Sequence, residues 1–264
     1  MMNLQSYTLI KDISSEVLTI LFEGGPGSGH WGHKGRPGHR GGSLPSETRL
    51  KGSGIATKFF GIEGAVKRVA SRYGFEANFS VQAIDEWDPP RIFYTVNFFD
   101  KKKKEGMREV GFFTFNFAPE VGYLENFSIR GEYQGKGFGG DVVEGVLKVA
   151  KKAGVSSIVL DAAGDGQIGS YAWAAMGWNI EDDNHRKELC NKFKAHLSRI
   201  GVDTEKVNIE NVWDIASFVH NGEKVGKKFL IEDVRMWRGA FDLKDNSMSW
   251  KIFNNYMEKR KVSK

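Results

Sequence analysis

Residues 132–140 read Glu-Tyr-Gln-Gly-Lys-Gly-Phe-Gly-Gly, and their surroundings limit the fold more than any other stretch of the chain. A strand-like run, Gly122 to Arg130, leads into them. A helix starts near Phe138, with Phe138, Val142, Val143, Val146, Leu147 and Ala150 on one face and Glu144, Lys148, Lys151 and Lys152 opposite; Gly154 ends it. The next run, Val155 to Leu160, is short, apolar and β-branched, as a buried strand requires. Strand, glycine loop and helix together make an anion site. The first turn of a helix leaves N–H groups without partners, and the dipole puts about half a positive charge there. Glycines let the backbone approach the anion closely.

Upstream, the pattern is helical and then alternating. Ile55 to Tyr73 predicts one or two helices, with Ile62, Val66, Val69 and Ala70 sharing a face and Gly74 as the stop. Three strands follow. The first is Phe75 to Ile84. In the second, Ile92, Tyr94, Val96 and Phe98 face one way and Phe93, Thr95, Asn97 and Phe99 the other. The third, Glu109 to Phe117, puts Phe113, Phe115 and Phe117 on one side, and Ala118-Pro119-Glu120 turns the chain into the strand before the glycines. Lys101 to Lys104 sit on the charged hairpin tip Asp100–Gly106. The fold class expected is mixed α/β (α+β), a mostly antiparallel sheet flanked by helices.

Gly135-x-Gly137-x-x-Gly140 also fits the spacing of a dinucleotide fingerprint, with Asp161 about where a ribose-binding acid would lie. That fingerprint belongs to a parallel βαβ unit, whereas the strands before it read as an antiparallel meander, so it stands as the lesser alternative. A Walker loop is excluded, because no Gly-Lys-Ser/Thr is present.

Gln134-x-x-Gly137-x-Gly139 resembles the Gln/Arg-x-x-Gly-x-Gly/Ala signature of the GNAT superfamily of acyl-CoA-dependent N-acetyltransferases. Phe127-Ser128-Ile129 on the preceding strand, the amphipathic helix and the buried strand ending at Asp161 fit that pattern. Tyr171-Ala172-Trp173-Ala174-Ala175-Met176-Gly177-Trp178 resembles the family's later helix ending in Gly-aromatic. The resemblance covers about residues 55–180. It implies that Gln134, Gly135, Lys136, Gly137, Phe138 and Gly139 cradle the pyrophosphate of acetyl-CoA, the co-substrate, through main-chain N–H groups. It implies that Phe127, Ser128 and Ile129 pair with the pantetheine arm and offer an N–H to the thioester carbonyl. An amine then attacks the thioester, helped by a base, for which Glu125 on the same strand is the candidate. A tyrosine often serves as acid four residues before the Gly-aromatic pair; Trp173 holds that position here, leaving Tyr171 as the candidate acid. A thiol with a pKa near ~8.5 also departs tolerably without one. The asparagine usual near the start of that helix is missing within Gly164-Asp165-Gly166-Gln167.

Outside the resemblance, residues 1–54 are expected to form an amphipathic segment and a flexible linker. Residues 24–43 hold nine glycines and two prolines, an entropy cost that only Trp31 could help offset. His30, His33 and His39 lie there without a carboxylate or cysteine nearby, a poor first shell, so no metal is expected. Residues 22–43 are similar to Gly/His-rich segments of tailed-phage head-associated proteins, which would make the chain phage- or prophage-encoded and virion components its partners. Residues 181–264 are expected to be a mainly helical extension. Residues 181–200 and 212–219 read as helices, 229–243 contains strand-like pieces, part of which could complete the sheet, and 250–256 looks helical.

Composition sets the remaining bounds. A net charge of +5 permits weak nucleic-acid contact through the linker and lysine tip without demanding it. One cysteine, Cys190, excludes an intramolecular disulfide framework and a multi-cysteine zinc module. No apolar run approaches the ~18–20 residues of a membrane span, and the N-terminus lacks signal-peptide features. A soluble protein is expected, cytoplasmic, or in the host cytoplasm or virion if phage-encoded. The leading function is acetyl transfer to an amine of an unidentified acceptor. The rivals are a non-catalytic phage head-associated protein keeping the fold and a basic nucleic-acid-associated protein.

Overall fold

The computed structural model describes residues 54–102, 108–164 and 167–262. The expected N-terminal segment, the Gly/His-rich linker with its three histidines, Lys103 and Lys104 of the hairpin tip, and Asp165 and Gly166 lie outside the described residues.

Two helices open the described chain, α1 (Gly54–Lys58) and α2 (Ile62–Arg72). In α2, Ile62, Val66, Val69 and Ala70 are buried, at the spacing of one helix face. Gly74, at φ +77°, ends the turn after it. Four strands follow: β1 (Phe75–Ile84), β2 (Arg91–Asp100), β3 (Arg108–Phe117) and β4 (Val121–Ile129). Each pairs antiparallel with the next. The phenyl rings of Phe113, Phe115 and Phe117 are buried, and Phe117 stacks on Phe59 at 4.7 Å. This aromatic face is what the helices cover.

Helix α3 (Phe138–Lys152) carries the chain from β4 to β5 (Ser157–Ala163). It packs Phe138 edge-on against Phe75 and Phe98, at 5.0 and 4.9 Å between ring centres. Gly154, at φ +82°, ends it. β5 pairs parallel with β4, so the expected meander gives way here to a parallel crossover. The unit is still not a doubly wound sheet, because the other neighbour of β5, β7 (Met236–Asp242), runs antiparallel.

The remaining elements are α4 (Gly169–Ala175), β6 (Asn179–Ile180), α5 (Asp183–Arg199), α6 (Val212–Ser217), α7 (Val225–Glu232) and α8 (Met248–Val262). The strand order is β1-β2-β3-β4-β5-β7-β6, one mixed and mostly antiparallel sheet, as expected. One local reading is corrected. Phe229 and Leu230 were expected in strand-like pieces, yet they are buried in α7. Val225 and Phe229 stand four residues apart, helical spacing that a window starting at Phe229 truncates.

β7 is held as part of the core. Phe241 is fully buried, 4.7 Å from the Trp178 ring and 5.3 Å from that of Trp250. The Trp178 indole donates to Ile158 O at 3.1 Å, and the Trp237 indole to Ser170 Oγ at 2.7 Å. Phe241→Ala is therefore expected to cost about 3–5 kcal/mol of folding stability, read by urea denaturation. A loss below about 1 kcal/mol would mean that β7 is peripheral.

Candidate active site

β4 and β5 begin as partners and then part. Their register runs from Val121 opposite Ser157 to Leu124 opposite Leu160 and goes no further. β5 continues to Ala163 beside β7, while β4 continues to Ile129 beside β3. The edge of β4 from Glu125 to Ile129 therefore faces a gap. A bulge marks the parting point: Phe115 pairs with Leu124 and Thr114 with Asn126, leaving Glu125 as the extra residue.

Main-chain groups of β4 point into that gap. Arg130 N–H donates to Val110 O at 2.9 Å, toward β3. Groups alternate along a strand, so Ser128 also faces β3, while the N–H and C=O of Phe127 and Ile129 face the gap. Ile129 O is taken by the Gln134 side-chain amide, which donates to it at 2.6 Å. Gln134 thus ties the loop to the end of β4.

The loop itself presents donors. Gln134 N–H donates to Gly131 O at 3.1 Å, so its main-chain amide is spent and, unlike the expectation, does not join the cradle. The N–H groups of Gly135, Lys136, Gly137, Phe138, Gly139 and Gly140 have no acceptor among the described residues; the first backbone bond of α3 is Asp141 N–H to Gly137 O at 3.2 Å. Gly135 and Gly137 adopt φ +73° and +89°, the left-handed region that favours glycine. A Cβ on Gly139 would lie 3.1 Å from Ile129 Cδ1 and 3.3 Å from Phe127 Cε1, which explains why the helix can start so close to β4. Lys136 is exposed, its ammonium 5.5 Å from the centre of the Tyr133 ring. Free amides, a helix N-terminus and cationic surroundings fit a bound pyrophosphate.

Glu125 sits in a polar chain that the sequence reading did not single out. Asn116 Nδ2 donates to Glu125 Oε1 at 2.7 Å, and the buried Arg91 donates through Nη1 to Asn116 Oδ1 at 3.5 Å. The Arg91 guanidinium also lies over the Tyr123 ring, 5.1 Å from its centre. Burial pushes the Glu125 pKa above the ordinary carboxylate value, while the Asn116 bond and the Arg91 charge pull the other way without cancelling it. Alternation could have flagged Asn116: in Phe113-Thr114-Phe115-Asn116-Phe117 the polar residues share the face opposite the phenyls.

Tyr171 and Trp173 diverge. The Trp173 ring lies 6.2 Å from that of Phe127, beside β4. Tyr171 instead lies under Lys227 of α7, 5.3 Å away, and burial together with Tyr256 raises its pKa. Glu125, Phe127, Ser128 and Ile129 thus share β4 and the loop residues join it, while Tyr171 lies on α4 beside Lys227. Among the described residues, no group of three or more His, Cys, Asp or Glu could hold a metal ion, and no helix is long and apolar enough to cross a membrane.

Residues 68–178 match the family model described as acetyltransferase (GNAT) family. A search of curated proteins finds no match. Among solved structures, the chain is similar to one in the NatC complex bound to Gag peptide and CoA, at 17% identity over 33% of this chain and 58% of that one, TM-score 0.30. It therefore spans less than two thirds of that relative. It is also similar to nourseothricin acetyltransferase, at 14% identity over 70% of this chain and 95% of that one, TM-score 0.32. A Bacillus subtilis acetyltransferase in complex with CoA is similar at 16% identity over 61% of this chain and 81% of that one, TM-score 0.30.

A raised carboxyl pKa has a consequence for stability. The native state binds the Glu125 proton more tightly than the unfolded chain, whose value is near 4.5. Stability therefore falls as pH rises from that value through the native one, and the cost is fully present above it. Glu125→Gln keeps an oxygen for Asn116 and removes the charge, so it is expected to raise the melting temperature at pH 7 and to leave it nearly unchanged at pH 4. A lower melting temperature at pH 7 would contradict this account of Glu125.

Proposed function

We propose that this chain, whose residues 68–178 match the GNAT acetyltransferase family model, transfers the acetyl group of acetyl-CoA to an amine of an acceptor. One observation carries the reading: the unpartnered amides of residues 135–140 lie at the mouth of the gap between β4 and β5, within the matched stretch.

The roles follow from the chemistry of each group. The amides of 135–140 hold the pyrophosphate, and glycine at 135 and 137 gives the backbone the curvature to do so. Phe127 and Ile129 extend the sheet toward the pantetheine arm, and an N–H of this edge polarises the thioester carbonyl. The amine must be neutral to attack. A lysine amine with a pKa near ~10.4 is almost wholly protonated at pH 7, so a positioned base is needed to take the amine proton as nitrogen attacks. Glu125 is that base, directly or through water, with its carboxylate oriented by Asn116. The nitrogen–carbon bond forms, the carbon–sulfur bond breaks, and the thiol leaves as thiolate or takes a proton. Tyr171 is the proposed donor of that proton; a tyrosine hydroxyl is protonated at neutral pH, and the burial that raises its pKa makes it a weak acid. The acceptor is an amine-bearing molecule, and a phage head context would rest on residues 22–43 alone.

Isothermal titration of CoA into the full chain tests the cofactor; saturable binding is expected, and no heat at millimolar ligand would refute it. Thiol release with mixed amine acceptors tests turnover. Asn116→Leu removes a hydrogen bond to the charged form of Glu125, so the acid limb of kcat/KM is expected to move to higher pH. An unmoved limb would exclude Glu125 as the titrating base.

A further inference from the structure

The C-terminal helix reaches back to the loop. Arg260, near the end of α8, donates through Nη2 to Gly137 O at 2.7 Å and to Asp141 Oδ1 at 3.0 Å. Its Nη1 contacts Met257 Sδ at 3.1 Å, the Tyr256 ring lies 5.6 Å from the guanidinium carbon, and only 18% of the side chain is exposed. A Cβ on Gly137 or Gly140 would collide with this guanidinium, so the glycines make room for it.

Both contacts bear on anion binding. A peptide group is planar and trans, so its C=O and the next N–H point in opposite directions. With Gly137 O held toward Arg260, Phe138 N–H is turned away from α8. Asp141 meanwhile stands in the first turn of α3. A carboxylate there stabilises the helix but competes with any anion for the positive end of the dipole. Tyr73 Oη donates to its Oδ2 at 2.7 Å, and Arg72 Nη2 lies 3.8 Å from the same oxygen, while Arg260 binds Oδ1. Burial, together with the hydrogen bond to this carboxylate and its charge, pushes the Tyr73 pKa up to about 12.

We propose that Arg260 is a positioning residue for the pyrophosphate loop: it fixes the Gly137 carbonyl and neutralises Asp141, so that the amides of 135–140 face an anion without a competing charge. This rests on the reading of that loop as the CoA site. The role could not be read from sequence, because Arg260 lies 123 residues from Gly137.

CoA titration calorimetry on the full chain separates this role from a purely structural one. Arg260→Ala is expected to weaken CoA about tenfold, the scale of an uncompensated carboxylate left beside an anion at a helix N-terminus. Arg260→Lys should recover part of the loss. Asp141→Asn should bind CoA at least as tightly as wild type, and the double variant should bind more tightly than Arg260→Ala alone. A pair needed only for folding predicts the opposite, that Asp141→Asn and Arg260→Ala do equal harm. That result, or unchanged affinity in Arg260→Ala, overturns the inference while leaving the CoA site standing. Wild-type protein that does not bind CoA overturns both.

Discussion

The parting of β4 from β5 after Leu124 and Leu160 is the constraint on which the rest depends. A strand edge inside a sheet is normally consumed by its neighbour, because unpaired backbone groups away from water are costly. Here β7 takes the far side of β5 and holds it on its own course. The edge of β4 is left with donors and acceptors and no strand to use them. An extended ligand can complete such an edge, much as a peptide adds a strand to an open sheet.

The same parting places the chemistry. The bulge at Glu125 falls where pairing stops, and an extra residue there re-aims a side chain without unravelling the strand. Asn116 and Arg91 come from β3 and β2, so three neighbouring strands contribute to one polar chain beneath it. At the other end of β4, Gln134 pins Ile129 O, and the glycines bring the start of α3 against Phe127 and Ile129. The loop is buttressed from below by α8 through Arg260. A C-terminal helix 123 residues away in sequence thus bears directly on the loop.

What could be read from the chain beforehand was local. Period two in Ile92, Tyr94, Val96 and Phe98 gave a buried strand face, and all four are buried. The turn chemistry of Gly74 and Gly154 and the signature glycines at 135 and 137 met left-handed backbone where stops and an anion loop were expected. What could not be read was pairing. Nothing in Met236–Asp242 says that it enters between β5 and β6, and nothing in the phenylalanine run says that the register slips between Thr114 and Phe115. Those outcomes depend on long-range packing, as does the reach of Arg260, whereas the divergence of Tyr171 from Trp173 follows locally from their i, i+2 spacing on a helix.

Amide hydrogen exchange with and without CoA addresses the central claim most directly. If the main-chain N–H groups of residues 135–140 hold the pyrophosphate, their exchange slows on addition of CoA, together with that of Phe127 and Ile129, while β1 and β2 are unchanged. Saturating CoA that leaves exchange at 135–140 unaltered would show that the nucleotide binds elsewhere, and the account of this loop would fail.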